Sequence, residues 1–488
     1  MNNALPTDYQ NFIATSRYAR WIDDQQRRET WSETVTRYVD FLSSKASIDY
    51  DTTEKIWDAI YGLEVMPSMR ALMTAGAALA RDNTAGYNCA YLPVDDMKSF
   101  DEAMYILLCG TGVGFSVERD NVNKLPEIPA RVQKGEDMLV VHDSKEGWAK
   151  ALRKLIALLY AGVITSWDLS KIRPAGARLK TFGGRASGPA PLDNLFNFTV
   201  NLFKENEGKK LSGYDCHSLM CKIGEVVVSG GVRRSAMISL SNLSDIRMRH
   251  AKTGQWWETA PHMALSNNSV CYTDKPDSMT FLREWTSLVE SKSGERGIFN
   301  RIAAQKQAMK YGRRDPQHDF GCNPCSEIIL RPYQFCNLTE VVIREGDSYN
   351  SICQKVKIAT ILGTAQSTLT DFPYLRKVWK KNTEEERLLG VSLTGIMDSM
   401  IMSGREEHRK QLPHILNELR LVAVNTNLEY AKKFNIPPST AITCVKPSGT
   451  VSQLCDSASG IHARHSKFYV RTVRGDNKDP LTQFMINE

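Results

Sequence analysis

Gly321-Cys322-Asn323-Pro324-Cys325-Ser326-Glu327-Ile328-Ile329-Leu330 packs two thiols, an amide and a carboxylate into the approach to an apolar strand. With the segment extended, Asn323, Cys325 and Glu327 point to one face, because side chains alternate with period two. A thiol flanked by a hydrogen-bonding amide and a carboxylate makes a catalytic constellation. The carboxylate takes a proton from a substrate hydroxyl while the sulfur reacts at a neighbouring atom. Cys322 and Cys325 also form a C-x-x-C, which by itself is half a zinc site or a redox pair. The sequence holds no second C-x-x-C, so no metal ligands are assigned.

Eleven residues after Cys325, Cys336 opens a second strand-like run that continues to Val342, so the two cysteines can sit on neighbouring strands. Taken singly, Cys336 and Cys89 (in Asn88-Cys89-Ala90-Tyr91-Leu92-Pro93) also read as small buried hydrophobes. Further apolar runs at Gly114 to Val117, Ser235 to Leu240 and Ser269 to Tyr272 alternate with segments of helical period. That alternation predicts an α/β domain over residues 86–488. Residues 1–85 read as a helical lead-in, with helices at Trp31 to Ala46, Glu54 to Leu63 and Met66 to Ala80. Trp148, Leu152, Leu155, Ile156 and Leu159 predict an amphipathic helix over 144–161 with Ser144 as its N-cap. The Gly/Pro-rich stretch Arg173 to Leu192 reads as a long ordered loop.

Two glycine segments invite a phosphate reading. Gly110-Thr111-Gly112-Val113-Gly114 follows a helical pattern and precedes a strand, the reverse of the order a dinucleotide fingerprint needs, so that reading is rejected. Ala441 to Lys446 reads as a strand and Pro447 to Ser452 as the turn into a helix whose open N–H groups can cradle an anion, or which is simply capped there. In Val228 to Ala236, Arg233 and Arg234 follow Gly230-Gly231. This is either a phosphate grip or a solvated basic loop.

With 488 residues, 42% hydrophobic and 24% charged, the chain is not a bulk-disordered protein. Its 62 Lys and Arg against 55 Asp and Glu leave +7, which suits anionic small molecules and is too dilute for a nucleic-acid coat. No apolar run is long enough to cross a bilayer and no signal peptide opens the chain, so the expectation is a cytoplasmic protein with neither membrane nor nucleic-acid polymer as partner. Eleven cysteines in so large a chain are expected to be mostly reduced thiols.

In this order, Asn88-Cys89, Gly110 to Glu118, Ser187-Gly188-Pro189, Gly230 to Ala236, Asn323-Pro324-Cys325-Ser326-Glu327, Cys336 and Pro447 to Ser452 resemble the catalytic subunit of ribonucleotide reductase. The resemblance is strongest to the monomeric adenosylcobalamin-dependent (class II) ribonucleoside-triphosphate reductases. It implies a ten-stranded α/β barrel, with Cys325 on a central finger loop as the thiyl radical site and Asn323 and Glu327 as substrate-activating neighbours. Cys89 with Cys336 would be the reducing dithiol. It further implies substrate contacts at Asn88, Ser187, Gly188, Pro447, Ser448, Gly449 and Thr450. A loop through Gly230, Gly231, Arg233, Arg234 and Ser235 would relay effector identity. Residues 120–185, carrying Asp143, Ser144, Lys145 and Trp148, look like the insertion that imitates a dimer partner at the effector site.

The implied reaction is reduction of ribonucleoside triphosphates to 2′-deoxyribonucleotides, with adenosylcobalamin as cofactor, deoxynucleotides as effectors and a thioredoxin-type protein as reductant. The family continues past the Gly460-Ile461-His462-Ala463-Arg464 region with further strands, parts of the cobalamin site and a cysteine pair. The expectation is therefore a second polypeptide completing the barrel, no turnover by this chain alone, and an unpaired edge or apolar patch at the strand opening at Ala441. Alternative readings are a class I-type large subunit with a radical-generating partner, a nucleotide-binding fragment without turnover, and a zinc-bound structural protein.

Overall fold

Short apolar runs between Cys89 and Asn300 become five strands: β1 (Cys89–Pro93), β2 (Gly112–Ser116), β3 (Met237–Asn242), β4 (Asn267–Tyr272) and β5 (Gly297–Asn300). They lie in sequence order and pair in parallel throughout. Parallel neighbours need long crossovers, and helices supply them here. These include α1 (Lys98–Leu108), α2 (Lys145–Tyr160), α3 (Ala190–Glu205), α4 (Gly213–Ser229) and α5 (Ser278–Ser291). Strand β1 is buried at every position, as a parallel strand covered on both faces should be.

The computed structural model describes residues 5–177, 179, 185–229, 236–405 and 408–470, with Thr472, Gln483, Ile486 and Asn487. The segment Gly230 to Ser235 lies outside the described residues. Two compact units divide the chain, one built from Met1–Asn88 and Phe335–Arg474, the other around Cys89–Gln334.

The predicted helix over 144–161 is α2. Ser144 adopts extended backbone and accepts from the Gly147 N–H at 2.9 Å. Gly147 is required there, since a Cβ would fall 2.3 Å from the His142 carbonyl oxygen. Strands Gln133–Val140 and Val163–Asp168 flank α2 and pair in parallel.

In the other unit, β6 (Gln334–Val342) pairs in parallel with β7 (Leu389–Thr394) and antiparallel with Val65–Pro67. Its core joins Tyr38, Leu42 and Ile60 to Val341, Leu362 and Leu389, and the N-terminal helices pack on the helix α6 (Tyr349–Gln366).

The helix Trp31–Ala46 forms as predicted, behind a Thr30/Glu33 capping box. The helix expected from Glu54 starts at Tyr50, because Asp49 caps it. The single helix expected over 66–80 is instead the strand Val65–Pro67, the helix Met69–Thr74 and the helix Ala77–Arg81. Pro67 has no N–H to give a helix, and Gly76 breaks the path with φ +95°. The strand expected from Ala441 reduces to one parallel bridge, Thr443 to Val391. Beyond it Val445 is 66% exposed.

Candidate active site

Gly321–Cys322 and Ile329–Leu330 pair antiparallel, so the stretch between them is the tip of a hairpin and not the start of an extended strand. The Ser326 N–H donates to the Asn323 carbonyl at 2.9 Å, and Ser326 itself has φ +63°. Asn323 closes the turn from inside, its side-chain oxygen accepting from the Ile328 N–H at 3.0 Å. The one-face alternation expected for Asn323, Cys325 and Glu327 is therefore corrected. A local side-chain bond and a proline outcompete the sheet ladder here.

The turn still brings three of the predicted residues together. The Asn323 amide donates to Glu327 Oε2 at 2.6 Å and to Cys89 Sγ at 3.1 Å. Asn323 is buried, Glu327 is partly buried and Cys325 stands exposed at the tip. A buried amide holding both a carboxylate and a thiol fixes their orientation before any substrate arrives. Cys322 is a different kind of thiol. Burial pushes its pKa up to about 12, against the hydrogen bond with Ser326, so it stays protonated at neutral pH.

The hairpin is seated by glycines. A Cβ on Gly114 would lie 1.8 Å from the Cys322 carbonyl oxygen, and one on Gly112 would lie 3.0 Å from the Pro324 ring. The Gly110 to Gly114 segment, running from α1 into β2, is thus a notch for the hairpin and not a phosphate loop. Arg301, which sequence reasoning missed, locks the same assembly. Its Nε donates to the Phe320 carbonyl at 2.7 Å, while its Nη2 meets Glu118 Oε2 at 2.6 Å. Ser116, at the end of β2, donates to that same carboxylate at 2.8 Å. Nothing in the bare spacing of Glu118 and Arg301 signals this pairing.

Other predicted residues occupy separate places. Asp143 pairs with Arg173 at 2.7 Å, Ser144 caps α2, and Trp148 is half-buried in its first turns. The Lys145 ammonium donates to Cys109 Sγ at 3.2 Å and lies 5.5 Å from the Tyr105 ring centroid. Ser187 donates to the Gly188 carbonyl, and Gly188 turns with φ +78° into α3. The loop residues Gly230, Gly231, Arg233, Arg234 and Ser235 fall outside the described residues.

In the unit that contains β6, the Asn88 N–H donates to the Cys336 carbonyl at 3.3 Å, while the buried Asn88 Oδ1 has no hydrogen-bond partner among the described residues. Ser448 donates to Glu340 Oε2 at 2.6 Å and the Lys446 ammonium meets Glu340 Oε1 at 2.7 Å. Glu340, a carboxylate buried on β6, is a second residue the sequence did not single out. It anchors the Pro447-Ser448-Gly449-Thr450 turn and leaves Pro447 and Gly449 exposed. Among the described residues no cluster of three or more His, Cys, Asp or Glu is placed to hold a metal ion, and no helix is long and apolar enough to cross a membrane.

The chain is similar to known proteins in both sequence and fold. Residues 117–202 match the family model of the B12-dependent ribonucleotide reductase insertion domain. The chain is 28% identical to the adenosylcobalamin-dependent ribonucleoside-triphosphate reductase of Lacticaseibacillus paracasei, with 95% of this chain and 74% of that protein aligned. Its identity to the enzyme of the same name from Lactobacillus leichmannii is 27%, with the same coverage. Among solved structures, a B12-dependent (class II) ribonucleotide reductase matches with TM-score 0.77 at 25% identity, covering 92% of this chain and 74% of that one. The Actinobacillus ureae class Id ribonucleotide reductase alpha subunit, at 12% identity and TM-score 0.59 over 99% of this chain and 78% of that one, shares the fold alone.

Proposed function

The chain is a homologue of the adenosylcobalamin-dependent ribonucleoside-triphosphate reductases, and from that footing we propose that it reduces ribonucleoside triphosphates to 2′-deoxyribonucleoside triphosphates through a thiyl radical. The observation that carries this reading is the Asn323 amide held between Glu327 and Cys89. Adenosylcobalamin, the cofactor in the relatives' name, supplies when bound the one-electron oxidation that a thiol does not undergo unaided. The exposed thiol of Cys325 at the hairpin tip is the group on this chain that fits such a role.

The remaining steps fall to the chain's own residues. As a thiyl radical, Cys325 takes a hydrogen atom from C3′ of the ribose, and Glu327 accepts the proton of the 3′-hydroxyl. The 2′-hydroxyl then leaves as water. Cys89 and Cys336 deliver two hydrogens' worth of electrons and protons and end as a disulfide, while Cys325 returns its hydrogen atom to C3′. The net change is one C–O bond replaced by C–H, two thiols oxidised to one disulfide, and one water released. Asn323 is a positioning residue for Glu327 and Cys89. The turn held by Glu340 binds the substrate phosphates through its exposed backbone. Deoxynucleotide effectors act at the insertion around α2, and a thioredoxin-type protein restores the dithiol.

The test is deoxynucleotide formation from the full chain with adenosylcobalamin, a ribonucleoside triphosphate, a deoxynucleotide effector and dithiothreitol. Turnover that survives Cys325→Ser removes the radical assignment. Omitting the reductant and mapping disulfides by peptide mass checks the dithiol, which requires a Cys89–Cys336 cross-link after one turnover. The same assay with a second polypeptide added reads the need for one.

A further inference from the structure

At the carboxyl ends of β3 and β4, beside the first turn of α5, lies a cavity of about 340 Å³ that the proposed reaction does not use. The space outside the carboxyl ends of adjacent parallel strands is where open α/β sheets present groups to ligands. Its lining includes Arg249, Tyr272, Thr273, Asp274, Thr280 and Arg283.

The charge balance of this corner is uneven. Behind the cavity, Glu284 is the one buried residue of α5, and two guanidinium groups share its carboxylate. Arg296 spends every donor it has, on Glu284, Ser241 and the carbonyls of Asn242 and Leu243, at 2.9 to 3.0 Å. Arg249 contacts Glu284 and the Leu243 carbonyl through Nε and Nη2 only. Its Nη1 has no protein partner among the described residues, and Arg249 lines the cavity. Two cations on one carboxylate leave a positive charge that burial makes expensive.

Arg283 stands on the same cavity with no ion pair among the described residues. Tyr272, buried at its edge, has a hydroxyl with no hydrogen-bond partner among the described residues. The exposed carboxylate of Asp274 offsets one of these charges. Asp277, at the start of α5, is occupied by the Met279 and Thr280 N–H groups.

We propose that this cavity binds a phosphate group, gripped by Arg249 Nη1, Arg283 and the Tyr272 hydroxyl. Guanidinium forks match the oxygens of a tetrahedral dianion, and a phenol hydroxyl supplies one more donor. The group can come from free phosphate or from a phosphorylated metabolite, since both offer the same oxygens.

Hydrogen exchange of the segment 272–284 in the full chain reads the site locally, without reference to deoxynucleotide formation, so its outcome is separate from that of the reductase reading. Three probes are compared: inorganic phosphate, a ribonucleoside triphosphate and the unphosphorylated nucleoside. Protection by inorganic phosphate, weakened about tenfold or more in Arg283→Ala, supports a site for free phosphate. Protection by the triphosphate at far lower concentration, with the same loss in Arg283→Ala, assigns the site to a nucleotide's phosphate. Equal protection by the nucleoside overturns the proposal. So does protection by none of the three, or protection unchanged in both Arg283→Ala and Tyr272→Phe.

Discussion

The side-chain amide of Asn323 donates to Cys89 Sγ across 3.1 Å, joining a hairpin turn to the first residue of β1. Because the same nitrogen holds Glu327, removing it frees both partners at once. Asn323→Ala is expected to lower deoxynucleotide formation by about a hundredfold, in line with the loss of a group that orients reacting residues. The loss should fall on kcat more than on KM. An unchanged kcat would leave Asn323 a purely structural cap for Ile328.

Cys325→Ser should abolish turnover and leave the fold intact, since the side chain is exposed at the hairpin tip. A serine O–H is too strong a bond to yield a comparable radical. Circular dichroism and thermal melting of this variant should match the parent chain, and deoxynucleotide formation should be at background.

Arg301 is buried with Glu118, so Arg301→Met leaves that carboxylate without its cation. Breaking a buried pair from one side costs about 3–5 kcal/mol. Denaturant unfolding should show a loss of that order in the unit around Cys89–Gln334. The double variant Arg301→Met/Glu118→Gln should recover part of it, and no recovery would mean that Arg301 acts mainly through the Phe320 carbonyl and Asp319.

Burial lowers the pKa of His217 to about 3, and the nearby positive charges of Lys252 and His262 push the same way. The ring lies 5.9 Å from that of Phe115, centroid to centroid, and contacts Cys221 Sγ at 3.5 Å. An unfolded His binds its proton near pH 6.5 while the folded one does not, so the unfolded state gains protons between about pH 6.5 and 3. Stability should be whole above pH 6.5 and fall by roughly 1 kcal/mol per pH unit below it. In His217→Phe the acid slope of the unfolding free energy should be shallower; an identical slope would rule His217 out as a source of acid sensitivity.

The elements legible in the sequence were those set by local bonds. Helix α2 appears where its apolar spacing and Ser144 cap put it, and the helix-then-strand order around Gly110 to Gly114 holds. The grouping of Asn323 with Glu327 was also legible, although through the wrong geometry. Period-two alternation assumed that backbone groups seek a neighbouring strand, whereas the Asn323 side chain takes the Ile328 N–H for itself. Glu118, Arg301 and Glu340 were not legible, because their partners are distant in the chain and a charged residue read alone resembles solvated surface. The corner lined by Arg249 and Arg283 escaped for the same reason.

The notch in β2 makes the hairpin that carries Asn323 and Cys325 a part that cannot be moved by itself. Its placement is written as missing atoms at Gly112 and Gly114, on a strand far upstream of the loop it receives. Transplanting Gly321 to Leu330 into another α/β scaffold would carry the thiol, the amide and the carboxylate, but not the hollow that admits the Cys322 carbonyl. A graft of the site therefore has two inseparable pieces, one of which contributes no functional group at all.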